Sequence, residues 1–322
     1  ITDWVTTTDH KKIGRLYIGT SVLAALATLV VVGLLALERI DISRELLDGG
    51  SLTQLFTLQR FGLLYLVLAP AVVGIAVAVV PMQIGARSIA FPRLAAAGYW
   101  AWLFGAGLGV YATVMNGGPN GGEGRFYDLF VLSTILALAG LLASMGSVAV
   151  SVLTTRAPGM NMRRLPYLAW ASLVGGLGML VALPVLMGVL LYLYVGHHYN
   201  PTGTEFGGNQ EFATWAGFGF TQPLTLLFLL PVLGAGADIV ATATGRRMAP
   251  RGGLYLALGL AGLAFVAGAT QGTASIADGF SALGWTDKLS QLLPYGIAYG
   301  LPALGVFLAT ALVLQQLRNK PR

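Results

Sequence analysis

Eight stretches of this chain run for about 20 residues or more without a single charged side chain, long enough to cross a lipid bilayer. They are Leu16–Leu37, Phe61–Ala86, Ala97–Asn116, Leu129–Leu153, Tyr167–Val195, Phe212–Ala237, Gly252–Thr273 and Leu292–Leu317. A hydrocarbon layer of ~30 Å takes about 20 helical residues, so each run predicts a transmembrane helix. Runs rich in Leu, Ala, Gly and Val suit helices better than barrel strands, which alternate apolar and polar residues. Small residues such as Gly105-Ala106-Gly107, Gly175-Gly176 and Gly234-Ala235-Gly236 allow helices to approach closely. The expected fold is therefore an all-α integral membrane protein of eight transmembrane helices, one transmembrane domain over residues 1–322. The polar N-terminus does not read as a secretory signal.

Only 10% of the 322 residues are charged, against about 25% in soluble domains. The net charge of +6 is a topology signal, because its placement is asymmetric. With the N-terminus inside, only Arg39, Arg44, Arg60, Arg125 and Lys288 of the 19 basic residues fall outside. Of the acidic residues, only Asp3, Asp9 and Asp238 fall inside. Basic loops stay cytoplasmic, so both termini are expected in the cytoplasm, and the basic excess is no nucleic-acid footprint. The chain has no Cys and three His. That excludes disulfides and thiolate chemistry and leaves few histidines for metal or heme. The predicted spans carry almost no ionisable groups, whereas proton pumps and ion carriers usually keep them at mid-membrane.

Four polar stretches carry a resemblance. They are Trp4-Val5-Thr6-Thr7-Thr8-Asp9-His10-Lys11-Lys12-Ile13-Gly14, then Gln83 through Arg93, then Arg156-Ala157-Pro158-Gly159-Met160-Asn161-Met162-Arg163-Arg164-Leu165-Pro166, then Leu183-Pro184-Val185-Leu186. In order and in place, they resemble the catalytic subunit I of heme-copper oxidases. The resemblance covers essentially the whole chain and the first eight of that family's twelve helices. It implies a multi-pass protein of a prokaryotic plasma membrane within a respiratory complex.

The resemblance also implies where chemistry should sit. The family holds two hemes and a copper through histidines on helices II, VI, VII and X. Its helix II motif, Phe-Thr-x-His-Gly, reads Phe56-Thr57-Leu58-Gln59-Arg60 here, so the ligand position is Gln59. Glutamine offers iron no imidazole nitrogen, and Arg60 disfavours a cationic heme iron beside it. On helix VI, Pro223 and Leu230-Pro231 keep the family spacing, but the copper-ligand position is Gln222. The proton-relay glutamate is replaced by Leu224 and the crosslinked tyrosine by Leu226. The paired copper histidines fall near Ala269 and Thr270, the proton-channel lysine at Ala298 and the other channel's aspartate at Ser88. The proton pathways are thus expected to be lost, and no cofactor or metal is expected.

Other candidates are weaker. His10 is expected to hydrogen-bond at the start of the first helix. His197 and His198 stand among Tyr192, Tyr194 and Tyr199, and two readings stay open: an interfacial aromatic belt, or ligands shared with a partner chain. Trp100, Trp102, Trp170 and Trp215 are expected at membrane interfaces. The glycine-rich stretch 117–123 predicts a flexible turn rather than a phosphate cradle. Asp238 is expected to pair with Arg246 and Arg247.

The function this implies is a cofactor-free, non-catalytic membrane subunit, not an enzyme by itself. It would scaffold partners such as other membrane subunits, a cytochrome or oxidase subunit, or lipid. The alternative is a redox subunit whose former cavities bind quinone or heme, with ligands partly from a partner.

Overall fold

The computed structural model describes residues 2–40, 49–118, 121–199, 222–245, 250–266 and 284–318. Nearly all of these residues are helical, because an apolar chain in lipid must satisfy its backbone polar groups within its own segment. The helices are Thr2–Val5, His10–Ile40, Gly49–Phe61, Ala69–Gln83, Pro92–Val114, Gly124–Thr154, Tyr167–Tyr199, Gln222–Thr244, Arg251–Gly262, Trp285–Tyr295 and Leu301–Arg318. Two π-helical segments, Gly62–Leu68 and Gly296–Gly300, join neighbouring α-helices into longer rods.

Among the described residues, six helices are long and apolar enough to cross a membrane: His10–Glu38, Gln54–Gln83, Gly124–Thr154, Tyr167–Tyr199, Leu224–Thr244 and Trp285–Arg318. They coincide with six of the eight expected spans. The expected span Ala97–Asn116 falls on the 23-residue helix Pro92–Val114, whose Gly, Tyr and Trp content makes it less apolar than those six. The expected span Gly252–Thr273 is a shorter apolar helix over Arg251–Val266, and its remainder lies outside the described residues. The second span begins earlier than the charge-free run suggested: the helix starts at Gly49 and passes through Gln59 and Arg60 without a break.

The chain forms two units. The first comprises residues 1–78, 92–144 and 187–209. In it, helices 92–114 and 124–154 touch backbone to backbone. A Cβ on Gly140 would lie 2.4 Å from the Gly98 carbonyl oxygen and 2.4 Å from the Trp102 nitrogen, so only glycine fits. Around that contact lies an aromatic interior. Tyr17 meets Tyr99 edge-on with centroids 5.0 Å apart, and Phe61 packs on Tyr65 and Phe130 at 5.3 Å.

Polar groups in this interior are paired with each other. The Tyr17 and Ser144 hydroxyls lie 2.8 Å apart, and Ser144 also donates to the Ala95 carbonyl. The π segment 62–68 widens the helix and turns its carbonyls toward neighbours. Two side chains take them: Ser21 donates to Val67 O at 2.7 Å, and Trp102 Nε1 donates to Tyr65 O at 2.9 Å. Trp102 is only 2% exposed, which corrects the expectation that it belongs to an interfacial belt. Its ring is buried because the indole N–H has a backbone acceptor inside. Trp102→Phe removes that donor and is expected to cost about 1 to 2 kcal/mol, read as a lower denaturation midpoint in detergent.

The second unit comprises residues 79–91, 145–186 and 210–322. Helix 301–318 packs on helices 251–262 and 222–244. Leu224, Leu227, Phe228, Leu230 and Ala298 are all fully buried.

The glycines flanking the expected turn are paired. Gly117–Gly118 and Gly121–Gly122 pair as an antiparallel hairpin, entered through Asn116 in the left-handed region at φ 63°. Asparagine tolerates that region well. Its side-chain oxygen accepts a 2.9 Å hydrogen bond from Gln54 Nε2, which ties the hairpin to helix 49–61.

Candidate functional site

Apart from the interior hydrogen bonds of the first unit, the main polar clusters of the described residues lie at helix ends. The most built of them joins the loop 156–166 to its surroundings in the second unit. Arg156 folds back on its own loop, with Nε donating to Met160 O at 3.2 Å and Nη1 to Leu153 O at 3.1 Å and to Val152 O. Ala157 N donates to Ile84 O at 2.9 Å, and Ala90 N to Ser151 Oγ at 2.8 Å. Two of the stretches that carried the resemblance, 83–93 and 156–166, are therefore bonded directly to one another. Leu165 O accepts from Arg251 Nη2 at 2.8 Å and from the Tyr255 hydroxyl at 2.5 Å. The Arg251 guanidinium also lies over the Tyr167 and Tyr255 rings, 5.7 and 5.5 Å from their centroids.

Asp238 completes this cluster in a way its sequence neighbours did not suggest. Its carboxylate accepts from the backbone N–H groups of Tyr167 at 3.0 Å and Leu168 at 2.9 Å, and from Gln83 Nε2 at 3.2 Å. The expected partners Arg246 and Arg247 lie outside the described residues; among the described residues the Asp238 carboxylate caps the start of another helix. The physical reason is that the first turn of helix 167–199 has unsatisfied N–H groups and a positive dipole end, both of which favour a carboxylate.

His197 and His198 lie in the last turn of helix 167–199, within the first unit. Both rings reach one carboxylate: His197 Nδ1 is 2.8 Å from Asp128 Oδ1, and His198 Nδ1 is 2.8 Å from Asp128 Oδ2. A carboxylate only accepts, so each Nδ1 carries the proton. The rings are packed as well: His197 lies 4.6 Å from the Tyr127 ring, and His198 stacks on Tyr194 at 5.3 Å. The arrangement is a staple between helices 124–154 and 167–199. Asp128 was missed because only the fold brings it, 69 residues away from His197, to this end.

His10 begins helix 10–40 and is 6% exposed. The hydrogen bonds at this helix start come from its neighbours. Asp9 Oδ1 accepts from Lys11 N at 3.0 Å, and Thr7 Oγ1 accepts from Asp9 N. His10 Nε2 is buried and makes no hydrogen bond, while its Nδ1 faces Asp9 Oδ1 at 3.7 Å.

The positions matched to oxidase chemistry separate by location. Gln59 is half-buried on helix 49–61, just before the π segment, and Arg60 beside it is exposed. Leu224 and Ala298 are fully buried, Leu226 is half-buried and Ser88 is exposed. Ala298 sits within the π segment 296–300. Gln222 begins helix 222–244; its side chain, Ala269, Thr270 and Trp215 lie outside the described residues. The other interfacial candidates are partly buried and bonded: Trp100 Nε1 donates to Val5 O at 3.1 Å, and Trp170 Nε1 to Tyr255 O at 3.2 Å.

Comparison with known proteins places this helical frame. The chain is 34% identical over 268 residues to the heme-copper oxidase subunit I+III of Aeropyrum pernix, covering 76% of this chain and 32% of that protein. It is 30% identical over 273 residues to cytochrome c oxidase subunit 1 of Bacillus sp. strain PS3, covering 76% and 42%. It is 27% identical over 279 residues to cytochrome c oxidase subunit 1 of Bacillus subtilis, covering 81% and 44%. The chain thus spans less than half the length of these relatives. The family described as Cytochrome C and Quinol oxidase polypeptide I matches residues 12–271, and by that match the chain belongs to it.

Proposed function

We propose that this chain is a non-catalytic, cofactor-free member of its family, acting as a membrane subunit that scaffolds partners in a respiratory or electron-transfer complex. The observation that carries the reading is the chemistry of the substituted positions. A half-buried glutamine stands at the helix II ligand position, and Leu224 and Ala298 present only alkyl groups to a packed interior. These residues do not fit heme or copper ligation, which draws on imidazole nitrogens, thiolates or thioethers. They also offer no ionisable group to carry a proton.

The same reading takes residues 1–322 as one transmembrane domain of eight spans with both termini cytoplasmic. Helices 92–114 and 251–266 would supply the two further spans. The partners it implies are other membrane subunits, a cytochrome or oxidase subunit among them. The Asp128 staple and the Asp238 cap support a structural role, since both fix helix ends.

Two measurements test it. A dithionite-reduced minus oxidised spectrum of the purified chain is expected to show no heme band; a stoichiometric band would overturn the cofactor-free reading. Purification from its native membrane is expected to bring membrane subunits with it, and recovery as a stable monomer would sink the scaffold.

A further inference from the structure

At the end of the first unit that carries His10 lies an open groove of about 440 Å³, lined by Trp4, Val5, Leu16 and Trp100. That falls within the roughly 300–1,000 Å³ of small-molecule sites. The short helix Thr2–Val5 forms one wall and is held there by the bond from Trp100 Nε1 to Val5 O at 3.1 Å. Lys12 Nζ sits 5.9 Å from the Trp4 ring centroid and 2.7 Å from Asp3 Oδ2. Lys11, Arg15 and Arg93 are exposed near the starts of helices 10–40 and 92–114.

The groove continues as an apolar path. On helix 92–114, Arg93, Trp100, Phe104, Leu108 and Tyr111 recur at spacings that place them on one face. Phe104, Leu108 and Tyr111 are all exposed. Helix 10–40 repeats the order, with Lys12 at its start followed by Leu16 and the exposed Leu23 one and three turns on. Each helix thus begins with a cation, passes an aromatic or apolar groove wall, and continues into an exposed apolar stripe. That sequence of chemistries matches an anionic phospholipid read from phosphate to acyl chain.

We propose that this groove is a binding site for one anionic phospholipid, its phosphate met by Lys12 and the neighbouring cations, its acyl chain laid along Trp100, Phe104 and Leu108. The ring faces of Trp4 and Trp100 suit the boundary between headgroup and hydrocarbon. Asp3 competes with the phosphate for Lys12, so the site's strength depends on that bridge opening. The site rests on the chain's place in a membrane and not on the absence of oxidase chemistry.

The test is native mass spectrometry of the delipidated chain in detergent, titrated with phosphatidylglycerol or with phosphatidylcholine of matched acyl chains. Phosphatidylglycerol is expected to bind at least about fivefold more tightly, on the scale of one cation's attraction to an anionic lipid. Lys12→Gln combined with Arg93→Gln is expected to abolish that preference. Trp4→Ala, which removes a wall but no hydrogen bond of the fold, is expected to weaken both lipids. Asp3→Asn breaks the same Lys12 bridge and is expected to tighten phosphatidylglycerol binding. Equal binding of the two lipids by the unaltered chain would overturn the proposal. So would a loss in Asp3→Asn that matches the Lys12 variant, because Lys12 would then act only through the bridge.

Discussion

Gly140→Val is expected to leave no folded protein. A Cβ at Gly140 meets Gly98 O and Trp102 N at 2.4 Å, and Trp102 Cα at 3.0 Å. All three are backbone atoms, so no side chain can swing aside to relieve the clash. The contact is reciprocal: a Cβ on Gly98 would lie 2.6 Å from Gly140 O and 2.5 Å from Ser144 Oγ. Forcing helices 92–114 and 124–154 apart would also break the Tyr17 to Ser144 pair and the Trp102 to Tyr65 bond. The expected loss is about 4 kcal/mol or more, among the largest that single substitutions produce. Size-exclusion chromatography of detergent extracts, following a fluorescent fusion, reads it as disappearance of the monodisperse peak. Gly107→Val is the matched control, since nothing lies within 4 Å of a Cβ there, and it should keep the peak. A sharp Gly140→Val peak with an unaltered thermal midpoint would show that these helices do not meet as described.

Asp238→Ala is expected to be the next most damaging change. One carboxylate there serves two backbone donors and Gln83 Nε2. Removing it leaves the first N–H groups of helix 167–199 without their acceptor, at the positive end of a 33-residue helix. Loss of a capping side chain costs up to about 2 kcal/mol. The same change takes away a favourable charge at the helix dipole. Asp238→Asn keeps one accepting oxygen and is expected to lose roughly half as much. The readout is unfolding by sodium dodecyl sulfate titrated into mixed micelles. A double-mutant cycle with Gln83→Ala should show coupling, because the two side chains share a hydrogen bond. If Asp238→Ala unfolds at the same detergent fraction as the unaltered chain, the cap contributes nothing.

How much of this was readable from the residues depended on whether the controlling interaction was local. Charge-free length located six spans because a bilayer imposes one requirement on every segment crossing it. It located the start of the second span poorly. Gln54, Gln59 and Arg60 interrupt the apolar run without interrupting the helix, whose backbone bonds continue from Gly49. Trp102 was misplaced for a different reason. A helix apolar on all sides carries no periodicity that separates an interior face from a lipid face. Only the acceptor at Tyr65 O marks its side as the inside.

The site residues divide in the same way. Gln59, Leu224 and Ala298 were identified from their place in motifs, and the fold adds their burial. Asp238 was assigned the nearest arginines in sequence, which lie outside the described residues; the backbone donors its carboxylate accepts from are 70 and 71 residues away, beyond any local pattern. For His197 and His198 the residues left an aromatic belt and ligands shared with a partner both open; adjacent side chains of this length can converge on a group as wide as a carboxylate. The missing information was the approach of Asp128, which no local pattern encodes.

The π segment 62–68 bears on how tightly chain length is fixed at this point. A π turn takes up one residue more than an α turn. Removing one residue from the segment would restore regular α winding and leave Gln59 and helix 69–83 in nearly their present phase, because the extra residue of a π turn is taken up within that turn. What would be lost is the local geometry that presents Val67 O to Ser21 and Tyr65 O to Trp102. Single-residue deletions between Gly62 and Leu68 are therefore expected to keep the helix and its register but to lower the denaturation midpoint in detergent through those two hydrogen bonds.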